Sequence, residues 1–348
     1  AAICIGGPGA VFWMWVAAFF GMMTNYSENV LGIFYRRRNE KGEWSGGAMY
    51  YLSEGLGSKK GMKIPAKVLA VLFSIFTLLA SFGIGSMGQV NKIVANVAAA
   101  FDVEALSSIN VFGSVSLYNI IIGVVIMALT AVITLGGVKR IASVAEKIVP
   151  FMVVAFVAGS LAIIAVNYDA ILPAFKAIFV NAFVPEAVVG GGIGTIISKV
   201  MTQGFKRGVF SNEAGLGSSV MVHSNSSIKE PVKQGMWGIF EVFADTMIVC
   251  TMTALVVLLG NGVGGIEFGN DIGANLAING FTAVYGGKIP AVVVAICLSL
   301  FAFTTTLTWA LYGSRCTEFL FGEKAGKPYL VFYCLLIVIG AVTDLSLA

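Results

Sequence analysis

Val188-Val189-Gly190-Gly191-Gly192-Ile193-Gly194-Thr195 follows Pro185 in an apolar run over residues 187–205. A continuous helix loses about 1 kcal/mol for each Gly that replaces Ala. Three adjacent glycines and a fourth two residues later predict either an unwound stretch or a site of close helix packing. The rest of the chain says what surrounds it. Of 348 residues, 57% are hydrophobic and 11% are charged, against about 25% charged in soluble domains. Mean hydropathy is +0.89. A soluble monomer of this length exposes too much surface to hide such a composition. Soluble enzymes, nucleic-acid binders and disordered scaffolds are excluded, and an all-α polytopic membrane protein remains. An unwound stretch at membrane depth must then line a cavity or be buried in protein.

Working outward, a span needs about 20 apolar residues. Eight runs qualify: 9–35, 66–99, 118–136, 144–166, 187–205, 235–259, 289–313 and 328–344. Polar connections with turn residues are expected at Asn39–Gly47, Asn167–Pro173 and Asn261–Asn270. Gly47–Leu56 has an apolar face (Met49, Tyr50, Leu52, Leu56) suited to the membrane interface. Residues 266–287 predict a partly helical hairpin. Lys and Arg alternate along the connections as eight, one, three, one, five, one and three. The positive-inside rule places the odd connections in the cytoplasm, with 19 basic residues against 3. The triplet Arg36–Arg38 reads as an anchor on that side. Five cysteines lie in or beside apolar runs without metal-ligand spacing, and read as packing residues. His223 is the single histidine, which argues against His-based catalysis. The chain opens Ala1-Ala2-Ile3 and stops in an apolar run at Ala348, which suggests a fragment.

Several residues carry the chemistry of transport. An unwound backbone beside half-helix ends can bind a carboxylate at N–H groups and a cation at carbonyls. Thr304-Thr305-Thr306 and Thr308-Trp309 occupy the middle of run 289–313. Their hydroxyls either bond back to the preceding turn or serve as hard oxygen ligands of the kind Na⁺ requires. Thr305 and Trp309 share a helix face, so an oxygen ligand and an aromatic wall stand together. Gln89 is either an interhelical bond or a ligand. Glu241 and Asp245 are i, i+4 acids in apolar sequence, read as possible buried acids for a proton relay or a hydrogen-bonded pair. Lys206–Ser218, with Arg207, Asn212 and Glu213, mixes charges with glycine turns and reads as an ordered gating loop.

Motifs then bring a resemblance. Gly6–Gly21 (GGPGAVFWMWVAAFFG) resembles the signature of the alanine or glycine:cation symporter family. Lys206–Ser218 resembles that family's RG-F-SNEAGLGS loop. Gly46–Tyr51 resembles its GGPMYY segment, with Ala48 in place of Pro. Asp245-Thr246 and Phe301-Ala302-Phe303-Thr304-Thr305 fit the same pattern. The resemblance covers essentially the whole chain. It implies a LeuT-type fold of two five-helix inverted repeats in one transmembrane domain, residues 1–348. Residues 1–166 would be the rest of the first repeat and 167–348 most of the second. The eight runs would be core helices two to nine, with the first broken helix missing upstream.

The resemblance further implies Na⁺-coupled symport of alanine, glycine or similar small neutral amino acids into a prokaryotic cell across its inner membrane, and no enzyme activity. The alternatives are proton coupling on the same fold, or a channel. By analogy, the Phe301 carbonyl and the Thr304 and Thr305 hydroxyls would ligate Na⁺. Gln89, Gly191, Gly192, Ile196, Thr305 and Trp309 would line the substrate pocket. Where the family carries a Phe among the glycines, this chain has Gly192, which enlarges the pocket. Where the family continues toward YYGE, this chain reads Leu311-Tyr312-Gly313-Ser314, which removes one carboxylate of a local salt bridge.

Overall fold

The computed structural model describes residues 2–40, 42–101, 109–112, 115–183, 193–262 and 273–343. Helices dominate. The described strands form two short antiparallel hairpins, Arg37–Arg38 with Trp44–Ser45 and Asn110–Phe112 with Val115–Ser116. Among the described residues, six helices are long and apolar enough to cross a membrane: Lys63–Ala98, Leu117–Thr134, Val138–Val166, Pro231–Asn261, Lys288–Phe321 and Glu323–Val342. They fall on six of the eight expected runs. Runs 9–35 and 187–205 fall on helices Ala10–Phe34 and Ile193–Asn212. These two are more polar, since Asn25, Glu28 and Asn29 interrupt the first and Lys199, Lys206 and Arg207 the second.

Three local expectations change. Asn167–Pro173 is a corner between helices, not a loop. The Asn167 side-chain amide donates to the Ile163 carbonyl at 2.9 Å, and a new helix, Tyr168–Phe183, begins at once with Pro173 inside it. Gly47–Leu56 is helical as expected, but Met49 on its apolar face is fully buried against Met221, Trp309 and Tyr312. Packing inside the protein, not the membrane interface, uses that face. Of the hairpin expected at 266–287, the described part is the helix Gly273–Tyr285.

The chain forms two compact units, each built from three separate segments. One comprises Ala1–Val30, Val154–Leu216 and Val232–Val294. The other comprises Leu31–Val153, Gly217–Pro231 and Ala295–Ala348. Small residues set the packing of the first. A side chain added at Gly204 would strike the Trp13 side chain and lie 2.6 Å from the Ala10 carbonyl. Gly208, one turn on, lies against Met14 and Ala17. Gly260 meets the backbone of Gly280. With little hydrophobic drive between helices in lipid, such close approach supplies the dispersion contacts that hold them. Trp13 completes the contact by donating its indole N–H to the Ala182 carbonyl at 3.2 Å.

The second unit has a continuous apolar core that includes Val90, Ile93, Tyr118, Phe303, Leu307, Tyr329, Tyr333 and Ile337. Its helix Lys63–Ala98 is not uniform. Ser81–Met87 winds as a wider, π-helical turn, a departure that often marks functional sites. Helix Pro231–Asn261 in the first unit has a similar turn at Phe243–Cys250.

The arginine triplet also has partners within the protein. Arg36 donates to three carbonyls, those of Ser224 at 3.0 Å, Ser226 at 2.6 Å and Ile228 at 2.7 Å. Its guanidinium also lies 4.1 Å from the centre of the Trp44 ring. Burial, and then the nearby Arg38, pulls the Arg36 guanidinium below its ordinary value. Arg37 pairs with Glu54, and Arg38 stacks over Trp44 at 4.7 Å.

Two outcomes follow from this packing. Gly204→Val forces the Trp13 contact apart and costs about 1–3 kcal/mol, read as a lower unfolding midpoint of the detergent-solubilised protein. Arg36→Ala releases residues 224–228, and limited proteolysis at Lys229 becomes faster while the apolar helices stay protected.

Candidate functional site

In the second unit, helix Lys288–Phe321 carries the threonine run. The Thr304 and Thr305 hydroxyls both donate to the Phe301 carbonyl, each at 2.9 Å. Thr306 donates to Ala302 at 3.0 Å and Thr308 to Thr304 at 3.0 Å. Back-bonding is therefore present, yet it also gathers the three expected Na⁺ ligands. A hydroxyl that donates one hydrogen bond keeps two acceptor lone pairs. Phe301, Thr304 and Thr305 are half-buried, whereas Thr306 is fully buried.

Trp309 is packed, not open. It is 7% exposed, and its Cβ and ring lie against Gly85, where any side chain would collide with it. Gly85 belongs to the π-helical turn Ser81–Met87, directly ahead of Gln89. Two carbonyls of that turn accept side chains. Gln89 donates its amide to the Ile84 carbonyl at 3.2 Å. Tyr333 places its hydroxyl 3.1 Å from the Gly85 carbonyl and 2.8 Å from the Thr306 carbonyl. The structure thus brings Trp309 and the threonine run to the turn that precedes Gln89. Gly191 and Gly192 lie outside the described residues. Ile196 lies within helix Ile193–Asn212, but its side chain is outside the description.

In the first unit, the expected gating residues end helix Ile193–Asn212. Asn212 accepts the Ala214 N–H at 3.0 Å and donates to the Thr246 hydroxyl at 3.0 Å. Thr246 donates to Asp245 at 2.9 Å, and Ser211 donates to the same carboxylate oxygen at 2.7 Å. The loop after the helix is therefore tied to the π-helical turn of Pro231–Asn261. Glu213 follows with φ 55°, a left-handed conformation that a non-glycine residue adopts at a cost. The Gly215 N–H donates to Glu28 at 3.4 Å. Arg207, half-buried on the same helix, makes no hydrogen bond or ion pair among the described residues.

Glu241 is exposed on the protein surface and Asp245 is half-buried. The buried face of this helix carries Gln234, Gly235, Gly238 and Val242, and Glu241 lies beside that face. Its carboxylate accepts the Asn25 amide at 3.2 Å. The Asn25 amide also donates to the Gly238 carbonyl at 3.2 Å, and Asn29 donates to Asn25 at 3.3 Å. The chain does not lose the local salt bridge at Ser314. Arg315 pairs with Glu318, one turn on, at 2.8 Å, and with Glu43 at 3.6 Å.

Sequence reasoning missed Asn25, Glu28, Asn29, Ser211, Tyr329 and Tyr333. The signal was present for most of them. Asn25, Glu28 and Asn29 recur at helical spacing inside an apolar run, and so do Tyr329 and Tyr333. Ser211 lies inside the Lys206–Ser218 loop, but its role depends on the Asp245 turn that meets it.

Comparison with known proteins supplies the relationship. The family model described as the sodium:alanine symporter family matches residues 1–348. The chain is 40% identical to the sodium/alanine symporter AgcS of Methanococcus maripaludis, over 99% of this chain and 71% of that protein. It is 38% identical to an uncharacterized transporter of Haemophilus influenzae, over the same shares of each. It is 34% identical to the amino-acid carrier protein AlsT of Bacillus subtilis, over 97% of this chain and 65% of that one. A whole-length match, together with apolar membrane-crossing helices, means that this membrane protein belongs to the sodium:alanine symporter family.

Proposed function

We propose that the protein is a secondary transporter, not an enzyme, that imports small neutral amino acids with Na⁺ by alternating access. Alanine and glycine are the substrates that fit this reading, and the prokaryotic inner membrane is its location. One observation carries it: the Phe301 carbonyl and the Thr304 and Thr305 hydroxyls gather within 2.9 Å contacts on one helix. Hard oxygens without a thiolate or imidazole suit an alkali cation. Trp309 stands one turn from Thr305 as an apolar wall. On the strength of the family resemblance, Gln89, Gly191, Gly192 and Ile196 are also assigned to the substrate. Backbone N–H groups of the glycine block would hold the carboxylate. Family membership and the printed names of AgcS and AlsT support this reading.

The same reading keeps the LeuT-type arrangement, with 1–166 and 167–348 as inverted repeats. Helices Ala10–Phe34 and Ile193–Asn212 would cross the membrane as well, their polar residues turned to protein or to a cavity. The odd connections would face the cytoplasm. A second reading, proton coupling, has one observation in its favour. Asp245 is a carboxylate in an apolar span that accepts hydroxyls from Ser211 and Thr246.

Proteoliposomes decide between the two. Alanine uptake that collapses when Na⁺ is replaced by choline supports Na⁺ symport; uptake that ignores Na⁺ and follows an imposed proton gradient overturns it. Thr305→Val raises the Na⁺ half-saturation by about tenfold, since a lost ligand is worth roughly as much as a charged hydrogen bond. Thr305→Ser retains the hydroxyl and Na⁺ dependence. A cysteine placed at Lys60 reacts with an impermeant reagent only in inside-out vesicles, and one at Lys288 only in right-side-out vesicles.

A further inference from the structure

We propose that Tyr333 is the positioning residue that joins the Na⁺-binding segment of helix Lys288–Phe321 to the turn that presents Gln89, an inference that rests on the Na⁺-symport reading above. Tyr333 is fully buried, with 0% exposure. Its hydroxyl lies within hydrogen-bond reach of two carbonyls, Gly85 at 3.1 Å and Thr306 at 2.8 Å. A phenol has one proton, so the two carbonyls share or exchange it. Thr306 directly follows Thr304 and Thr305. Gly85 sits in the π-helical turn, against Trp309 and one turn before Gln89.

The neighbouring tyrosine shows that the turn is held at both ends. Tyr329, one helical turn before Tyr333, shares a 2.8 Å hydrogen bond with Ser81 at the start of the same turn. Ser81 and Gly85 are themselves four residues apart, so the two tyrosines match two successive positions of the turn. Tyr329, however, packs against Gly313 on the other helix, about two turns beyond the proposed Na⁺ ligands. Tyr333 reaches Thr306.

The physical consequence is directional. A phenol buried in an apolar core cannot give up its hydrogen bond without cost, because no water replaces the partner. When Na⁺ draws the Thr304 and Thr305 oxygens inward, the Thr306 carbonyl moves with them. The Tyr333 proton then favours one carbonyl over the other, and the Gly85 turn is held or released accordingly. Na⁺ occupancy thereby sets the position of Gln89 and of the turn against Trp309.

The test is transport by the full chain in proteoliposomes, with Na⁺ half-saturation and alanine KM measured separately. Tyr333→Phe raises the Na⁺ half-saturation about fivefold, the worth of one hydrogen bond, and raises the alanine KM at limiting Na⁺ while saturating Na⁺ restores it. Tyr329→Phe lowers the unfolding midpoint and leaves the Na⁺ half-saturation at the parent value. Replacing Tyr333 by 3-fluorotyrosine keeps the shape and strengthens the donor, and shifts the Na⁺ half-saturation; this holds even if Tyr333→Phe does not fold. Unchanged Na⁺ half-saturation and KM in the Tyr333 variants, beside a Na⁺-dependent parent, overturn the proposal alone and leave Tyr333 as packing. A parent that ignores Na⁺ overturns the symport reading and this proposal together.

Discussion

A carbonyl released from a helix ladder inside a bilayer has no water to accept from, and the protein must supply a donor. The rest of this structure is arranged around that constraint. At the π-helical turn Ser81–Met87, the donors are Gln89 to the Ile84 carbonyl and Tyr333 to the Gly85 carbonyl. At the turn Phe243–Cys250, Thr251 donates to the Thr246 carbonyl at 3.4 Å and itself accepts the Trp15 indole N–H at 2.8 Å. Each irregularity is thus met by a side chain from its own helix, and that side chain or a neighbour reaches another. The wider turns cost ladder geometry and return a place where helices are coupled.

The same logic holds at the ends of helices. Helix Ile193–Asn212 ends on an asparagine that accepts the Ala214 N–H and donates toward the Asp245 turn. Helix Ala10–Phe34 is followed by Arg36, which gathers three carbonyls of the 224–228 segment. These are unlike the contacts of a soluble core. The apolar residues face lipid as readily as protein, and many large ones, among them Phe19, Ile64, Phe76 and Leu172, are exposed. Large apolar side chains occur both buried and exposed, so hydrophobicity alone does not separate inside from outside.

This explains what the residues alone disclosed. Six of the eight apolar runs became helices long and apolar enough to cross a membrane, because length and apolarity are properties of the chain itself. The threonine run converged on Phe301 because i, i+3 and i, i+4 spacing is a property of any helix. The carbonyl partners of Arg36 were not legible because they lie about 190 residues away. Glu241 failed as a buried acid because burial depends on which helix face meets a neighbour. The Gly190–Gly192 block, which first drew attention, lies outside the described residues, and the helix is regular from Ile193 onward.

The amino-acid sequence by itself determined the membrane class, most of the spans, the charge alternation of the connections and the motifs of the family. All of these are local or compositional, and a bilayer rewards them one segment at a time. Tertiary structure alone decided that Trp309 is packed against Gly85, that Asp245 is tied to the end of helix Ile193–Asn212, and that Tyr333 bridges Gly85 and Thr306. Those pairings need helices distant in sequence to meet at one register. No periodicity along a single segment encodes that register, because it is set by which small residues let the backbones approach.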